Sequence, residues 1–257
     1  MTQPRGWGVC SPLESGVRAE DATATLGVRW SINYQATDVA TNVAMLRAAQ
    51  YGTPTWAQRV AYVRETGAFT LLFNEPENRG QDNLPPADAA KIGVEWQAAT
   101  RRKDVGGRWR VTPWGGLGTM VNELDNGARW EDAYYAAGGR VPPVRCVHWY
   151  GYSAQHIELM WARTWNYMHA RKVRRPILVT ECGLAPAIGD WQPTHDKAVE
   201  VMQAANALLK SGKIVGCAWF STRYNEENLA WRHNNLLMGD GNLTALGVDF
   251  RAMVRAG

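Results

Sequence analysis

Eight short apolar runs recur along the chain, most followed by a helix-spaced or loop-rich stretch. No other feature narrows the fold so far, because strand and helix in alternation require a parallel sheet with right-handed crossovers. The runs are Gly6–Cys10, Thr25–Ile32, Val43–Leu46, Thr70–Glu75, Trp109–Trp114, Arg145–Tyr150, Pro176–Glu181 and Ile214–Phe220. Between them, apolar residues fall three and four apart: Trp56, Val60 and Val63; Ile92, Trp96 and Ala99; Ile157, Trp161, Thr164, Trp165 and Met168; Val199, Met202, Ala205, Leu208 and Leu209. Thr53 before Pro54, and the pair Pro85-Pro86, read as helix openings. Eight such units in 257 residues predict an α/β chain, a (β/α)8 TIM barrel closed on itself as a single domain over residues 1–257.

Composition removes several alternatives. Hydrophobic residues make up 46% and charged residues 20%, which is a globular balance. No apolar run approaches the ~20 residues that span a bilayer, so no membrane partner is expected. Met1 to Cys10 lack a charged-then-apolar export pattern. The chain is therefore either made without a classical signal or trimmed of one, with action on an extracellular polysaccharide compatible with both. The formal charge of +4 is concentrated in Arg101-Arg102-Lys103 and around Arg171, Lys172, Arg174 and Arg175. Both clusters fall at helix ends, where cations suit the helix dipole, and neither is interleaved with aromatics, so nucleic acid is not an expected partner. Cys10, Cys146, Cys182 and Cys217 show no C-x-x-C spacing, and strand parity turns Cys146 and Cys182 to opposite faces, so four free thiols are expected. The five histidines are scattered without a metal-binding spacing, and no glycine loop carries the Lys-Thr/Ser of a phosphate site. Neither metal nor cofactor is predicted. Gly115-Gly116-Leu117-Gly118 reads as a substrate loop, and a monomer is expected.

Two of the apolar runs end alike. Thr70-Leu71-Leu72-Phe73-Asn74 runs into Glu75-Pro76, and Pro76, lacking an amide hydrogen, stops the ladder. Pro176-Ile177-Leu178-Val179-Thr180 runs into Glu181-Cys182-Gly183. A carboxylate at the end of a buried strand is costly unless it is paired or used. Two of them on separate strands of one barrel predict a shared site at its mouth. Hydrolysis of a glycosidic bond needs such a pair, one acid to protonate the leaving oxygen and one carboxylate to attack carbon or activate water. The thirteen tryptophans, against four phenylalanines, supply flat faces for sugar rings as well as core filler.

Asn74-Glu75-Pro76 and Thr180-Glu181 resemble the two glutamate motifs of the clan A retaining glycoside hydrolases. Leu71-Leu72-Phe73-Asn74-Glu75-Pro76, His148-Trp149-Tyr150-Gly151, Thr180-Glu181 and the tail Leu236–Gly247 together resemble glycoside hydrolase family 128, endo-β-1,3-glucanases, over essentially the whole chain. Two departures are visible: a glycine of the family pattern is missing before Phe73, and Trp30-Ser31-Ile32-Asn33-Tyr34 replaces an aromatic-and-asparagine pattern. The resemblance implies Glu75 as acid/base and Glu181 as nucleophile in a retaining cleavage of β-1,3-glucan. Another surface polysaccharide, or a barrel that binds sugar without cleaving it, are the alternatives. It also implies Asn74 on the sugar 2-hydroxyl, and Trp219 as a sugar platform followed by a cis peptide at Trp219-Phe220. His148 is inward by parity and suited to the sugar or the acid. Arg29 and Tyr150 are the expected donors to Glu181. Trp30, Tyr34, Trp114, Trp149 and Trp191 are stacking candidates, with Asn33 and Tyr152 behind them.

Overall fold

The computed structural model describes residues 4–11, 19–33, 43–103, 109–110, 114–120, 124–186, 191–224 and 231–257. Seven parallel strands form one sheet: β1 (Gly6–Cys10), β2 (Val43–Leu46), β3 (Thr70–Asn74), β4 (Trp114–Met120), β5 (Val144–Gly151), β6 (Ile177–Leu184) and β7 (Gly216–Trp219). Their order around the sheet is β1-β7-β6-β5-β4-β3-β2. Helices α1 (Ala19–Leu26), α2 (Pro54–Thr66), α3 (Pro86–Thr100), α4 (Leu124–Ala136), α5 (Ala154–Ala170), α6 (His195–Lys210) and α7 (Ala245–Arg255) complete the described chain. No described helix is long and apolar enough to cross a membrane.

The sheet corrects the expected fold. Its seven longer strands by themselves make an open parallel half-barrel that wraps through 249° and leaves its edges 8 Å apart, not a closed TIM barrel of eight full strands, and only the three-residue segment Ser31–Asn33 lies across that gap. The predicted second strand accounts for the difference. Thr25 and Leu26 are spent as the last turn of α1, and only Ser31–Asn33 remains extended. That three-residue segment pairs through two residues with β1 and two with β2. A gap under two strand spacings of ~4.8 Å has room for one such segment and no more. The predicted fifth strand also shifts. Trp109–Arg110 pairs in a two-residue antiparallel ribbon with Arg102–Lys103, while the glycine-rich stretch read as a substrate loop is β4, a wall strand.

Two apolar layers fix which way each strand faces. Inside the curve lie Cys10, Leu71, Cys146, Leu178 and Ala218 with Trp30 and Met45. Outside it, Val147, Trp149, Val179, Cys182, Cys217 and Trp219 pack with residues of α5, α6 and α7. All eight residues of β6 are buried, as a strand covered on both faces must be. Gly8 gives Trp30 its place: a Cβ there would stand 2.4 Å from the indole ring.

Local signals set the helices as expected. Thr53 Oγ1 accepts from the Trp56 amide, Pro54 takes the first turn, and Gly67 ends α2 at φ +70°. In α5 the buried stripe is Ile157, Met160, Thr164 and Met168; Trp161 and Trp165 lie off it, Trp165 being 44% exposed. All four cysteines are free and buried.

Candidate active site

Glu75 follows β3, His148 and Tyr150 stand on β5, and Glu181 stands on β6. Along β5, Cys146 faces inward while Val147 and Trp149 face the helices, so His148 and Tyr150 also face inward. Simple alternation on β6 from inward Leu178 would turn Glu181 outward. The strand instead carries one extra residue. Val147 pairs with Val179 but His148 pairs with Glu181, and on the other flank Cys217 pairs with Val179 but Trp219 with Cys182. Thr180 is therefore a β-bulge, and its one added residue re-aims Glu181 toward the interior. The bulged peptide stays satisfied: its carbonyl accepts from Cys10 Sγ at 3.3 Å, and its hydroxyl donates to the Val147 carbonyl at 3.3 Å.

Glu75 is turned by a different device. Phe73 has φ +68° and Glu75 has φ +45°, both in the left-handed region that side chains avoid. The first departure takes Phe73, inward by parity, out to the Trp56–Trp96 side. It falls where this sequence lacks the glycine of the pattern it resembles.

The three groups meet. A ligand-type atom from each of Glu75, His148 and Glu181 lies within 4.8 Å of the others. His148 Nδ1 is 2.8 Å from Glu75 Oε1 and 3.3 Å from Glu181 Oε2. With both glutamates ionised, that nitrogen can pair with them only as a donor, and its N–H would stand where the same three side chains could hold a cation. Tyr150 donates its hydroxyl to Glu181 Oε2 at 2.5 Å, and Asn78 Nδ2 donates to Glu75 Oε2 at 2.9 Å. Each glutamate keeps 5% of its surface exposed; His148 keeps none.

Burial works to raise the Glu75 carboxyl, but the hydrogen bond and charge of His148, with Asn78 and Arg47 behind them, hold it below an ordinary glutamate. Burial likewise works to lower His148, and the Glu181 and Glu75 carboxylates outweigh it and raise the imidazole. Tyr150 is pushed far up by burial and by Glu181, so it remains a donor. Stability should respond accordingly. The depressed Glu75 contributes stability that is full above the ordinary value of 4.5 and lost as pH falls through its folded value. The raised His148 contributes stability that is full below 6.5 and lost as pH climbs through its folded value. In thermal melts across pH, we expect the His148→Asn variant to lack the alkaline decline that wild type shows; an identical decline in both would contradict the paired imidazole.

The remaining predicted residues divide. Asn74 sits at the site, its Nδ2 donating to Gln81 Oε1 at 3.0 Å and its buried Oδ1 unpartnered. Trp219 is fully buried on the helix side, its indole donating to the Asn234 carbonyl at 2.9 Å, so it offers no face to a sugar. The cis peptide is at Phe220-Ser221, one residue later than expected. Trp149 is fully buried on the same outer face. Trp30 is 3% exposed, its indole directed at the Arg5 and Gly6 carbonyls at the start of β1. Arg29 is exposed and lies two residues before Ser31–Asn33, whose first residue is level with Val9 of β1. Trp114 opens β4 level with Thr70, whereas Asn74 is level with Gly118; its side chain, those of Asn33 and Tyr34, and the whole of Tyr34 lie outside the described residues.

Aromatics that sequence reasoning missed surround Tyr150. Phe220 lies 5.9 Å and Trp231 4.7 Å from its ring, centroid to centroid, and both are half-buried. Phe220 had no sequence signal of its own, because the phase of its strand is fixed only once Trp219 is seen to face outward. Tyr152 makes an edge contact with Trp191 at 4.9 Å just beyond β5, which places both expected stacking residues together.

Residues 15–250 match the family model described as the glycosyl hydrolase catalytic core. Among solved structures, the chain is similar to a GH128 subgroup I endo-β-1,3-glucanase from Amycolatopsis mediterranei in complex with laminaritriose. Identity is 22%, 97% of this chain and 100% of that chain are covered, and the TM-score is 0.72. A subgroup VI exo-β-1,3-glucanase from Aureobasidium namibiae is 15% identical, with 96% of each chain covered and a TM-score of 0.71. A subgroup VII oligosaccharide-binding protein from Cryptococcus neoformans is 18% identical, covering 98% of this chain and 94% of its own, with a TM-score of 0.70. The search of curated proteins finds no match.

Proposed function

Since the chain belongs to the glycosyl hydrolase catalytic core family, we propose that it hydrolyses β-1,3-glucan with retention of anomeric configuration, using Glu75 as acid/base and Glu181 as nucleophile. One observation carries the reading: a carboxyl oxygen of Glu75 and one of Glu181 lie within 4.8 Å, bridged by His148 Nδ1. Inverting pairs stand roughly 6.5–9.5 Å apart to admit a water, whereas retaining pairs stand about 5–5.5 Å apart. The substrate class is supported by the β-1,3-glucanases, endo and exo, that share the fold.

In this scheme the resting proton sits on His148 Nδ1. As the glycosidic oxygen closes on Glu75, that proton passes from the imidazolium to Oε1 and on to the leaving oxygen. The Glu181 carboxylate attacks the anomeric carbon through one oxygen while Tyr150 holds Oε2. Glu75, now ionised, takes a proton from the water that opens the glycosyl-enzyme ester. Phe220, Trp231 and Tyr150 supply the apolar wall against which a sugar face packs.

Proton NMR of the first product formed from β-1,3-gluco-oligosaccharides decides the stereochemistry. We expect the β-anomer first, followed by mutarotation. An α-anomer appearing first would sink the retaining scheme. Binding without release of reducing ends would favour a sugar-binding role like that of the Cryptococcus neoformans protein.

A further inference from the structure

The loop after Glu75 contains a buried acid that the reaction does not consume. Asp82 has a side chain only 3% exposed. Its Oδ2 accepts from the Asn74 amide at 2.7 Å and from the Ala48 amide at 3.1 Å; its Oδ1 accepts from Arg47 Nε at 2.5 Å. Its own amide donates back to the Asn74 carbonyl at 3.3 Å. The peptide groups on both sides of Asn74 are thus tied to one residue. Asn74 is also the single residue between Phe73 and Glu75, the two that adopt positive φ. A backbone held off its favoured region at two side-chain-bearing positions persists only where its surroundings restrain it. Beside it, Gln81 Oε1 accepts from both Asn74 Nδ2 at 3.0 Å and Arg47 Nη2 at 3.3 Å, which extends the same clamp.

We propose that Asp82 is the positioning residue for Glu75: it fixes the Phe73–Glu75 turn that carries the acid to His148, and it neutralises Arg47 beside that acid. The proposal rests on Glu75 as the acid/base. Other groups facing Glu75 are His148 and Tyr150 from β5, Glu181 from β6 and Asn78 from its own loop, with Glu77 acting on His148. Asp82 holds the Asn74 and Ala48 amides and Arg47, so a substitution there reaches the acid through the turn and through Arg47.

Two variants separate the two effects. Asp82→Ala removes the tether and the charge. Its kcat should fall roughly 10²-fold, the scale on which a displacement near 1 Å registers, with KM within about twofold of wild type. Asp82→Asn can keep an acceptor for the Asn74 and Ala48 amides while losing the charge. Its kcat should return to within about tenfold of wild type, and the alkaline limb of its kcat–pH profile should move to lower pH, because an unneutralised Arg47 favours the Glu75 carboxylate. NMR titration of His148 gives a readout that needs no turnover: its pKa should drop in Asp82→Ala as Glu75 leaves Nδ1. Wild-type kcat in Asp82→Ala, or an unchanged His148 titration in it, overturns the proposal. So does an Asp82→Asn enzyme as slow as Asp82→Ala with an unshifted limb. If Asp82→Ala does not fold, the limb of Asp82→Asn decides alone. If wild type cleaves no glycan, the functional reading falls while the His148 titration still tests the clamp.

Discussion

Replacing Glu181 with glutamine lowers kcat on β-1,3-gluco-oligosaccharides by roughly 10⁴-fold or more, the scale on which removal of a covalent nucleophile acts. The amide is nearly isosteric and can still accept from Tyr150, so the fold is retained and the loss is one of chemistry. Glu75→Gln behaves differently. It removes an acid worth roughly 10²–10⁴-fold, but only for a leaving group that needs protonation. An aryl β-glucoside with a nitrophenolate leaving group forms the glycosyl-enzyme without help, so Glu75→Gln should show a burst of nitrophenol followed by slow turnover, and Glu181→Gln should show none. Azide should rescue the alanine variants with opposite products: the α-azide where the nucleophile is missing, the β-azide where the acid/base is. Turnover within tenfold of wild type in both glutamine variants would end the two-carboxylate scheme.

The second large effect is on stability and lies at the other end of β5. Arg145, at the start of that strand, is 13% exposed at its side chain and donates to Glu131 of α4 at 2.5 Å; Glu131 is 5% exposed. Tyr135 donates to the same Glu131 oxygen at 2.8 Å, and the Tyr167 ring covers the guanidinium at 4.6 Å. Burial alone would lower the Arg145 pKa, but Glu131 outweighs it and raises the pKa, so the arginine stays charged. Glu131→Ala leaves that cation buried without its partner, at a cost of about 3–5 kcal/mol. For a chain of this size that is a fall in Tm of roughly 6–20 °C. Removing the cation as well, in Glu131→Leu with Arg145→Met, should recover most of the loss, because well-packed apolar residues replace a buried pair at little net cost. A Glu131→Ala protein within 2 °C of wild type, on the same ~2–4 °C per kcal/mol scale, would mean that water already screens the pair.

Much of the site could be read from the chain before any coordinates. Glu75 and Glu181 were visible because Asn-Glu-Pro and Thr-Glu close buried strands. His148 and Tyr150 were visible because they share the inward parity of Cys146 along a third buried strand, β5. The errors have physical causes. Thr25-Leu26 reads as strand by local preference, but α1 runs through it, so only Ser31–Asn33 is left extended between the edges of the seven-stranded sheet. Gly115-Gly116-Leu117-Gly118 reads as a loop because glycine weakens strands, yet it lies between β3 and β5, where pairing on both sides outweighs the lost propensity. Trp219 looked like a platform because the phase of β7 cannot be set from apolar residues alone. Ala218 faces in, so Trp219 faces out, and Phe220 meets Tyr150 instead.

The bulge at Thr180 has no residue signature at all, since any residue can be the extra one. Yet it decides which side of the wall Glu181 faces. Under the proposed retaining scheme, chain length between Leu178 and Glu181 is itself a catalytic specification. A single codon lost there would disarm the enzyme while leaving every chemical group in the sequence's vocabulary intact, and a relative that kept both glutamates but not that count would be a hydrolase in name only.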